Sequence, residues 1–332
     1  MGTYRSIGRT ASGFLLLPLI ALTIGQAASA AAPTARQHVR ALKITVLSTM
    51  LADAGIGEWG FAALVEVDGK RILFDTGARP ETVLANAREL RIDLSDVEDV
   101  ILSHNHADHT GGLVTLRREF QQRNPKALSR AHAGEGIFLS RVVPGNATER
   151  NGLLANKAAY EATGGQFILH AAPTELLPGV WLTGPVPRTY PEKNYPTGLR
   201  VKAPSGETDD TIPEDSSLVI ATSQGLVVLT GCGHAGIVNT VDYARKAVEA
   251  SPLLAVVGGM HTYSASDETL AWTAEKLKAA GLRHLLAAHC TGIEAAFRIR
   301  QLAGLSRKTA VVSAVGSSYS LDKGIDPRDL AR

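Results

Sequence analysis

The sequence predicts an α/β protein in which two β-sheets pack face to face and helices cover their outer faces. The chain divides into two halves, and each half begins with strands and continues with interleaved helices. Of the 332 residues, 45% are hydrophobic and 20% are charged, which suits a large buried core and excludes disordered and fibrous proteins. No linker separates the halves, so we expect one main domain over residues 42–318.

The charge balance bears on the partners of the protein. Lys and Arg together number 34, Asp and Glu number 32, and the formal net charge is +2. Nucleic-acid-binding proteins need a strong basic surface, and this chain has no excess of positive charge to supply one. We therefore expect a small-molecule partner and no nucleic acid.

The first thirty residues have the pattern of an export signal. Arg5 and Arg9 precede an apolar run over residues 14–24, and Ala28 and Ala30 then form the small-x-small pattern that signal peptidase cuts. The apolar run is much shorter than the roughly 20 residues that span a bilayer. We expect residues 1–30 to be removed, residues 31–41 to form an N-terminal linker, and the mature protein to be periplasmic or secreted without a membrane anchor.

The first half of the domain alternates between strands and helices. Short runs of β-branched and apolar residues, separated by turn signals, predict strands, and apolar residues on one face after Pro80 predict a helix. The predicted strands are Leu42–Ser48, Gly60–Val67, Arg71–Asp75 and Asp99–Ser103, and the predicted helices are Pro80–Leu90 and Gly111–Gln122.

An irregular segment follows, and then the alternation resumes. Residues 124–215 are rich in Pro and Gly and predict an insertion over a site, with a helix at 151–163 and strands at 166–169 and 180–183. The second half predicts strands at Ser217–Thr222, Leu226–Thr230, Leu253–Gly258, His284–Ala288 and Thr309–Ser313, and helices at Ile237–Glu249, Asp267–Ala280 and Ile293–Leu302. Residues 319–332 are expected to form a C-terminal tail.

One loop contains the ligand types of a metal site. His104, His106, Asp108 and His109 follow the strand that ends at Ser103. No single helical face can present all four side chains, but a loop can fold them around one point. Imidazoles and a carboxylate are the ligands of a zinc-like ion, and four of them exceed what one catalytic ion needs. We expect His104 and His106 to hold one ion, and Asp108 and His109 to hold a second.

Further candidate residues lie at strand exits beside glycines. His234 and His289 are predicted ligands, and His261 is predicted to contact substrate or support a ligand. Asp75 is expected to orient the histidine loop, as carboxylates commonly do for metal-binding histidines. The other histidines, His38, His132, His170 and His284, and the tryptophans, Trp59, Trp181 and Trp272, are assigned to structure or packing.

The two cysteines leave three roles open. One residue separates Cys232 from His234, and Cys290 is adjacent to His289. They can be metal ligands, free thiols or, in an oxidising compartment, a disulfide.

The motifs resemble those of a known superfamily. The segment after Phe74 and the loop Ser103–Gly112 look like the metallo-β-lactamase superfamily, and the resemblance covers roughly Leu42–Gly316. It implies a four-layer αββα sandwich with the metal site at one edge. Within the superfamily, three motifs are similar to the branch named for the 7,8-dihydropterin-6-methyl-4-(β-D-ribofuranosyl)-aminobenzene-5′-phosphate synthases: Thr230–Ile237, Gly258–His261 and His289–Gly292.

Two features depart from the superfamily pattern. Cys232 stands where most members have a carboxylate that bridges both ions, and residues 183–188 contain no histidine at the usual third motif. The second ion is therefore either weakly held, or Cys232 is a thiolate ligand.

The expected activity is hydrolysis by a water that one or two divalent ions activate, with Asp108 also orienting that water. Zinc is expected, with manganese or iron as alternatives. Arg188 can form two hydrogen bonds to a phosphate, and Thr291 begins a helix whose amides favour an anion, so a phosphoester or other anionic substrate is predicted. The alternatives are an iron-dependent oxidoreductase and a non-catalytic periplasmic metal-binding protein.

Overall fold

The computed structural model describes residues 37–146 and 148–331. The predicted export signal, residues 1–30, and residues 31–36 of the predicted linker lie outside the described part of the chain. Among the described residues, no helix has both the length and the apolar character needed to cross a membrane.

The strands and helices follow the predicted alternation. In the described residues the strands are, in chain order, β1 (Leu42–Ser48), β2 (Ala62–Val67), β3 (Lys70–Phe74), β4 (Asp99–Leu102), β5 (Arg130–Gly134), β6 (Ser140–Val142), β7 (Gln166–His170), β8 (Thr174–Leu177), β9 (Val180–Leu182), β10 (Arg200–Ala203), β11 (Gly206–Asp209), β12 (Ser217–Thr222), β13 (Gly225–Thr230), β14 (Leu253–Gly258), β15 (His284–Ala287), β16 (Ala310–Val312), β17 (Ser318–Ser320) and β18 (Gly324–Asp326). The helices are α1 (Thr82–Glu89), α2 (Ala107–Thr110), α3 (Leu113–Phe120), α4 (Gly152–Glu161), α5 (Ile237–Ala247), α6 (Asp267–Ala280) and α7 (Ile293–Leu302).

The strands of the described chain form two large sheets and one small one. The first large sheet has eight strands in the order β18-β17-β1-β2-β3-β4-β5-β7, and the second has seven in the order β16-β15-β14-β13-β12-β9-β8. The small sheet has the order β11-β10-β6. In each large sheet, antiparallel strands give way to a parallel run, which is β3-β4-β5-β7 in the first and β13-β14-β15-β16 in the second.

Three apolar clusters separate four layers. The cluster between the two large sheets joins side chains such as Ile44 and Phe74 to Leu229 and Val257. A second cluster packs α5, α6 and α7 against the outer face of the second sheet, and a third packs α1, α3 and α4 against the first sheet. Strands that are buried on both faces read as nearly continuous apolar runs, as in β13 and β14. The four layers confirm the expected αββα sandwich.

Two predicted segments differ from the structure. Much of the predicted insertion lies within the large sheets, because β5 and β7 extend the first and β8 and β9 extend the second. Part of the predicted tail forms β18, which pairs with β17 at the edge of the first sheet. These strands are short or rich in small and polar residues, so they lack the long apolar run that marks the central strands.

The topology brings the candidate residues to one edge. Parallel strands end on the same side of a sheet, and the loops at their carboxyl ends are the usual place for a site. Asp75 follows β3, and the histidine loop follows β4. In the second sheet, His234, His261 and His289 come after β13, β14 and β15 respectively. Residues from five separate strand exits therefore meet at one edge of the sandwich.

Candidate metal centre

Three histidines form the first group of candidate ligands, which we call the three-histidine group. The ring centroids of His104 and His106 are 4.6 Å apart, and those of His104 and His234 are 4.7 Å apart. The third pair, His106 and His234, is separated by 4.9 Å. His234 thus takes a place beside the first two loop histidines, although the superfamily motif at residues 183–188 has no histidine.

A carboxylate and two imidazoles form the second group, the aspartate–histidine group. Asp108 Oδ2 lies 3.3 Å from His289 Nε2 and 3.9 Å from His109 Nε2. The rings of His109 and His289 have centroids 5.0 Å apart. The two groups are adjacent, because the ring centroids of His104 and His109 are only 4.2 Å apart.

Cys232 joins the two groups. Its Sγ lies 3.1 Å from His109 Nε2. The ligand atoms of His104, Cys232 and His234 all lie within 4.8 Å of one another, and so do those of His109, Cys232 and His289. Cys232 and Cys290 are both free and buried, so the structure contains no disulfide between them.

The imidazole nitrogens fit a bound cation. His104 Nδ1 donates to Ser103 Oγ at 2.9 Å, and His234 Nδ1 donates to the carbonyl of Asn194. The opposite nitrogen, Nε2, of each ring is buried and has no hydrogen-bond partner in the described residues. His289 Nδ1 is also buried and unpartnered among those residues, while its Nε2 lies 3.3 Å from Asp108 Oδ2. Buried polar atoms are normally satisfied, so this cluster of unpartnered nitrogens fits divalent ions held by imidazole.

Asp75 fixes the orientation of the loop histidines. Its Oδ2 accepts hydrogen bonds from His109 Nδ1 at 2.7 Å and from Ser103 Oγ at 2.8 Å, and its Oδ1 accepts from the Ser103 amide at 2.8 Å. Asp75 therefore holds His109 directly and His104 through Ser103. Such outer contacts set which ring nitrogen faces an ion.

The backbone is strained at three of the strand exits. Asp75, His261 and His289 have φ values of 57°, 47° and 47°. Residues other than Gly rarely adopt the left-handed region, and such strain concentrates at functional sites. The strain supports a functional role for this edge of the sandwich.

Burial keeps the three-histidine group neutral. Burial is the main cause that holds the pKa values of His104 and His234 well below the ordinary value, with neighbouring imidazoles acting in the same direction. Burial also lowers the pKa of His106 to about 4. A neutral imidazole is the form that binds a metal ion, so these rings are in the ligand state at neutral pH.

Charges dominate in the aspartate–histidine group. Burial alone would lower the pKa of His109, but the carboxylates of Asp75 and Asp108 outweigh it and raise this pKa to about 9. Burial acts to raise the pKa of Asp108, but the imidazoles of His109 and His289 outweigh it and lower this pKa. In the metal-free protein, His109 is therefore a cation that sits between two carboxylates. A divalent ion bound there would replace that positive charge.

Two buried carboxylates form hydrogen bonds to backbone amides next to the candidate ligand histidines. Glu214 accepts from the Asn105 amide at 3.3 Å and pairs with the buried Arg141 guanidinium. Asp215 Oδ2 accepts from the Ala235 amide at 2.7 Å. Burial raises the pKa of each carboxyl group to about 7. The sequence did not identify these residues as part of the site, because they follow no motif spacing.

The structure brings three other predicted residues to the site, and their predicted roles stay predictions. The His261 ring lies 4.6 Å from the His234 ring. Thr291 Oγ1 accepts from the Met260 amide at 3.0 Å and lies 3.2 Å from the Gly258 carbonyl, so this hydroxyl joins two strand exits. Arg188 Nη2 donates to the carbonyls of residues 211, 212 and 234. These contacts give Arg188 a structural task that the sequence did not indicate.

Two aromatic side chains, Trp59 and Tyr263, lie beside the aspartate–histidine group. The Trp59 ring lies 4.8 Å from the His289 ring and 5.6 Å from the Tyr263 ring. Trp59 is 48% exposed and Tyr263 54% exposed, so both rings face solvent at the mouth of the site. Trp59 is therefore not a packing residue as the sequence suggested. Its isolation in the chain gave no signal of this position.

A cavity of about 810 Å³ opens beside His261. Its lining includes residues 191–197 on one side, and Tyr263 and Trp272 on the other. Lys193, an exposed cation, also lines it. The cavity is large enough for a small organic molecule, and among the described residues His261 is the one candidate site histidine that lines it.

Three of the remaining histidines, His38, His132 and His170, lie in other hydrogen-bonded contacts. His132 Nδ1 lies 3.0 Å from His170 Nε2, and His132 Nε2 lies 3.0 Å from Asp99 Oδ1. His38 Nε2 lies 2.8 Å from Glu249 Oε2. None of these three belongs to a candidate ligand group found among the described residues.

Comparison with known families and proteins agrees with this geometry. A family model described as "Metallo-beta-lactamase superfamily" matches residues 60–245. A protein of Methanocaldococcus jannaschii named 7,8-dihydropterin-6-methyl-4-(beta-D-ribofuranosyl)-aminobenzene-5'-phosphate synthase is 33% identical over 249 residues, which cover 71% of this chain and 82% of that relative. An uncharacterized protein of the same organism is 30% identical and covers 73% of this chain and 88% of its own length.

A solved structure also resembles this one. It is Tm1679, described as a metal-dependent hydrolase of the beta-lactamase superfamily. The match has a TM-score of 0.66 and 27% sequence identity, and it covers 83% of this chain and 98% of Tm1679. The similarity extends over the whole of the sandwich rather than over the histidine loop alone.

Proposed function

The chain belongs to the metallo-beta-lactamase superfamily, and we propose that it is a metal-dependent hydrolase that acts on a phosphoester or another anionic small molecule. The observation that carries the proposal is the set of buried, unpartnered imidazole nitrogens of His104, His234 and His289 around Cys232. The similarity to Tm1679, a metal-dependent hydrolase by its description, supports the same reaction class.

The two ligand groups would hold one or two divalent ions. The three-histidine group would hold one, the aspartate–histidine group the other, and Cys232 is within reach of both. Zinc fits the imidazole and thiolate ligands, and manganese or iron remain alternatives. Bound ions would supply Lewis acidity toward the substrate and lower the pKa of water.

Asp108 is the residue of this group that reaches solvent. Its side chain is 21% exposed, whereas the side chains of His109 and His289 are fully buried. The lowered pKa keeps Asp108 ionised, so its carboxylate can accept a hydrogen bond from an attacking water. We assign Asp108 the orientation of that water in addition to ligation.

Two observations support an anionic substrate with an organic portion. The 33% identical relative has a phosphate in the name of its product. The cavity beside His261 is lined by Lys193, by the carboxyl groups of Glu192 and Glu268, and by the rings of Tyr263 and Trp272, so Lys193 is the group there that can pair with an anion attached to an organic group.

The test is a substrate panel on the metal-loaded protein. Phosphomonoesters and phosphodiesters are compared with acyl esters, thioesters and lactams, and we expect the phosphoesters to have the highest kcat/KM. His104→Ala should remove the activity, and His170→Ala, a buried histidine outside the site, should leave it unchanged. A preferred neutral ester would refute the substrate class, and full activity of the His104 variant would refute the site.

The predicted role of Arg188 can be separated from its structural task. If its guanidinium binds phosphate, Arg188→Ala should raise KM for phosphoesters more than for neutral esters. The alternative is that Arg188 only joins the carbonyls around residue 212 to the exit of β13. In that case the variant should lose thermal stability and change KM equally for phosphoesters and neutral esters. The KM ratio between the two classes therefore decides between the roles.

The name of the archaeal relative favours a second candidate, in which the protein is a synthase. In that reaction the same centre would act on an anionic substrate, but an acceptor other than water would take the transferred group. Product analysis with and without added amine or alcohol acceptors distinguishes the candidates. A product that contains the acceptor would favour the synthase.

Export forms a further part of the proposal. The basic, apolar and small-residue pattern of residues 1–30 supports a location in the periplasm or the medium. An exported enzyme of this kind would meet substrates and metal ions from outside the cytoplasm.

A further inference from the structure

A third group of ligand atoms lies beside the two described above. The ligand atoms of Cys232, His261 and Cys290 all lie within 4.8 Å of one another. Cys232 is 2% exposed and Cys290 is fully buried, and neither forms a disulfide. We propose that these three residues form a further ion position, which shares Cys232 with the two groups above and selects a thiophilic ion, such as Cu⁺ or Zn²⁺.

The donor chemistry distinguishes this position from its neighbours. The three-histidine group and the aspartate–histidine group each have access to one thiol, Cys232. The third group has two thiols and one imidazole. Soft sulfur ligands favour Cu⁺ and Zn²⁺ over ions such as Mn²⁺ that prefer oxygen, so the third position should be the most thiophilic of the three.

The segments that carry His261 and Cys290 are held together by hydrogen bonds that involve the backbone and two threonine hydroxyl groups. The Tyr263 amide donates to the Cys290 carbonyl at 3.2 Å. The Met260 amide donates to Thr291 Oγ1 at 3.0 Å, and Thr262 Oγ1 donates to the Thr291 carbonyl at 3.0 Å. These bonds fix the separation of the ligands before any ion binds, which reduces the ordering that binding requires.

The packing around Cys290 depends on a glycine. A Cβ at Gly259 would lie 2.2 Å from the Gly231 carbonyl oxygen and 2.8 Å from Cys290 Sγ. The absence of a side chain therefore allows the exits of β13, β14 and β15 to approach closely enough for both thiols to meet. A larger residue at position 259 would hold the two thiols apart.

His261 has an imidazole nitrogen available for the ion. Its Nδ1 is buried and has no hydrogen-bond partner in the described part of the chain. The φ of 47° at this residue is one that residues other than Gly rarely adopt, so the fold maintains an unfavourable conformation that keeps the ring beside the thiols.

The proposed ion position does not depend on hydrolase activity. A negative result for either proposal therefore leaves the other unaffected. The reduced full-length protein is titrated with Cd²⁺ as the probe, and the thiolate-to-cadmium charge-transfer absorbance is followed. We expect the wild-type amplitude to correspond to two thiolates and that of Cys290→Ser to fall to about half. Equal amplitudes in the wild type and Cys290→Ser, with the variant folded by circular dichroism, would overturn the assignment.

Two further variants make the result specific. Cys232→Ser should also keep about half of the amplitude, because Cys290 remains, whereas complete loss in this variant would show that Cys232 is the sole thiolate ligand and refute the proposal. The double variant His104→Ala/His106→Ala removes two ligands of the three-histidine group only. It should keep the full two-thiolate amplitude, and loss of the amplitude in this variant would place the cadmium in the three-histidine group instead.

Discussion

Replacing Asp75 by Asn should weaken the metal centre and change the pH dependence of stability. The carboxylate has two charged or hydroxyl contacts at Oδ2, from His109 Nδ1 and Ser103 Oγ, and both arrive as donors. The Ser103 backbone amide also donates to Oδ1, so an Asn side chain, which has one accepting oxygen, must turn its NH2 group toward a donor in either orientation. Loss of an outer-shell partner typically costs about 10–100-fold in metal affinity, and we expect that range for Asp75→Asn.

The magnitude in the metal-free protein follows from His109. Its pKa of about 9, compared with the ordinary 6.5, corresponds to roughly 3 kcal/mol of stabilisation of the folded state. Because the folded pKa is raised, this stability is fully present below pH 6.5 and is lost as the pH rises through 9. Asp75 is the largest favourable contributor, so the variant should be less stable by about 2 kcal/mol more at pH 6 than at pH 10.

The assay is urea unfolding of the metal-depleted protein at both pH values, together with a competitive chelator titration of the metal-loaded protein. Asp99→Asn is the matched control, because Asp99 Oδ1 also contacts a histidine, His132, at 3.0 Å but lies outside the site. Asp99→Asn should keep the wild-type metal affinity. An Asp75→Asn protein with unchanged metal affinity and a pH-independent loss of stability would refute the reasoning.

The remaining predictions concern the ligands and export. His104→Ala and His106→Ala should each lose most bound metal by elemental analysis and most activity, whereas His170→Ala should lose neither; a fully loaded double variant would contradict the ligand assignment. Cys232→Asp should keep two-ion binding, because a carboxylate can replace the thiolate, and Cys232→Ser should weaken it. The intact mass of protein from the native host should begin near Ala31, and retention of residues 1–30 would exclude cleavage.

Burial explains which elements the sequence predicts well. β1, β12 and β14 have the predicted bounds because their apolar runs are buried on both faces, as in Leu253–Gly258. β5 is only weakly marked in the sequence, because Arg130–Gly134 is short and contains small and polar residues. Its place in the sheet depends on parallel pairing with β4 and β7, which no local pattern records.

The residues of the candidate site likewise divide into those that the sequence reveals and those that only the structure reveals. The loop from His104 to His109 is visible in sequence because its ligands are close in the chain. Trp59 and Glu214 are not, since each reaches the site only through tertiary contacts: Trp59 through the His289 ring and Glu214 through the Asn105 amide. The side chains at the entrance of the site and those that hold the histidine loop could therefore be identified only from the structure.

The strand exits show why spacing alone could not assign the roles of the histidines. At Asp75, His261 and His289 the backbone leaves its strand with positive φ, a conformation that residue type would not predict. Next to these exits, a Cβ at Gly231 would lie 2.6 Å from Asp75 Oδ2, so a glycine is needed for the carboxylate to reach Ser103. The ligand set therefore depends on unusual backbone turns as much as on ligand types. A substitution such as Gly231→Ala, which alters no candidate ligand, should disturb metal binding through Asp75 as strongly as the loss of Asp75 itself.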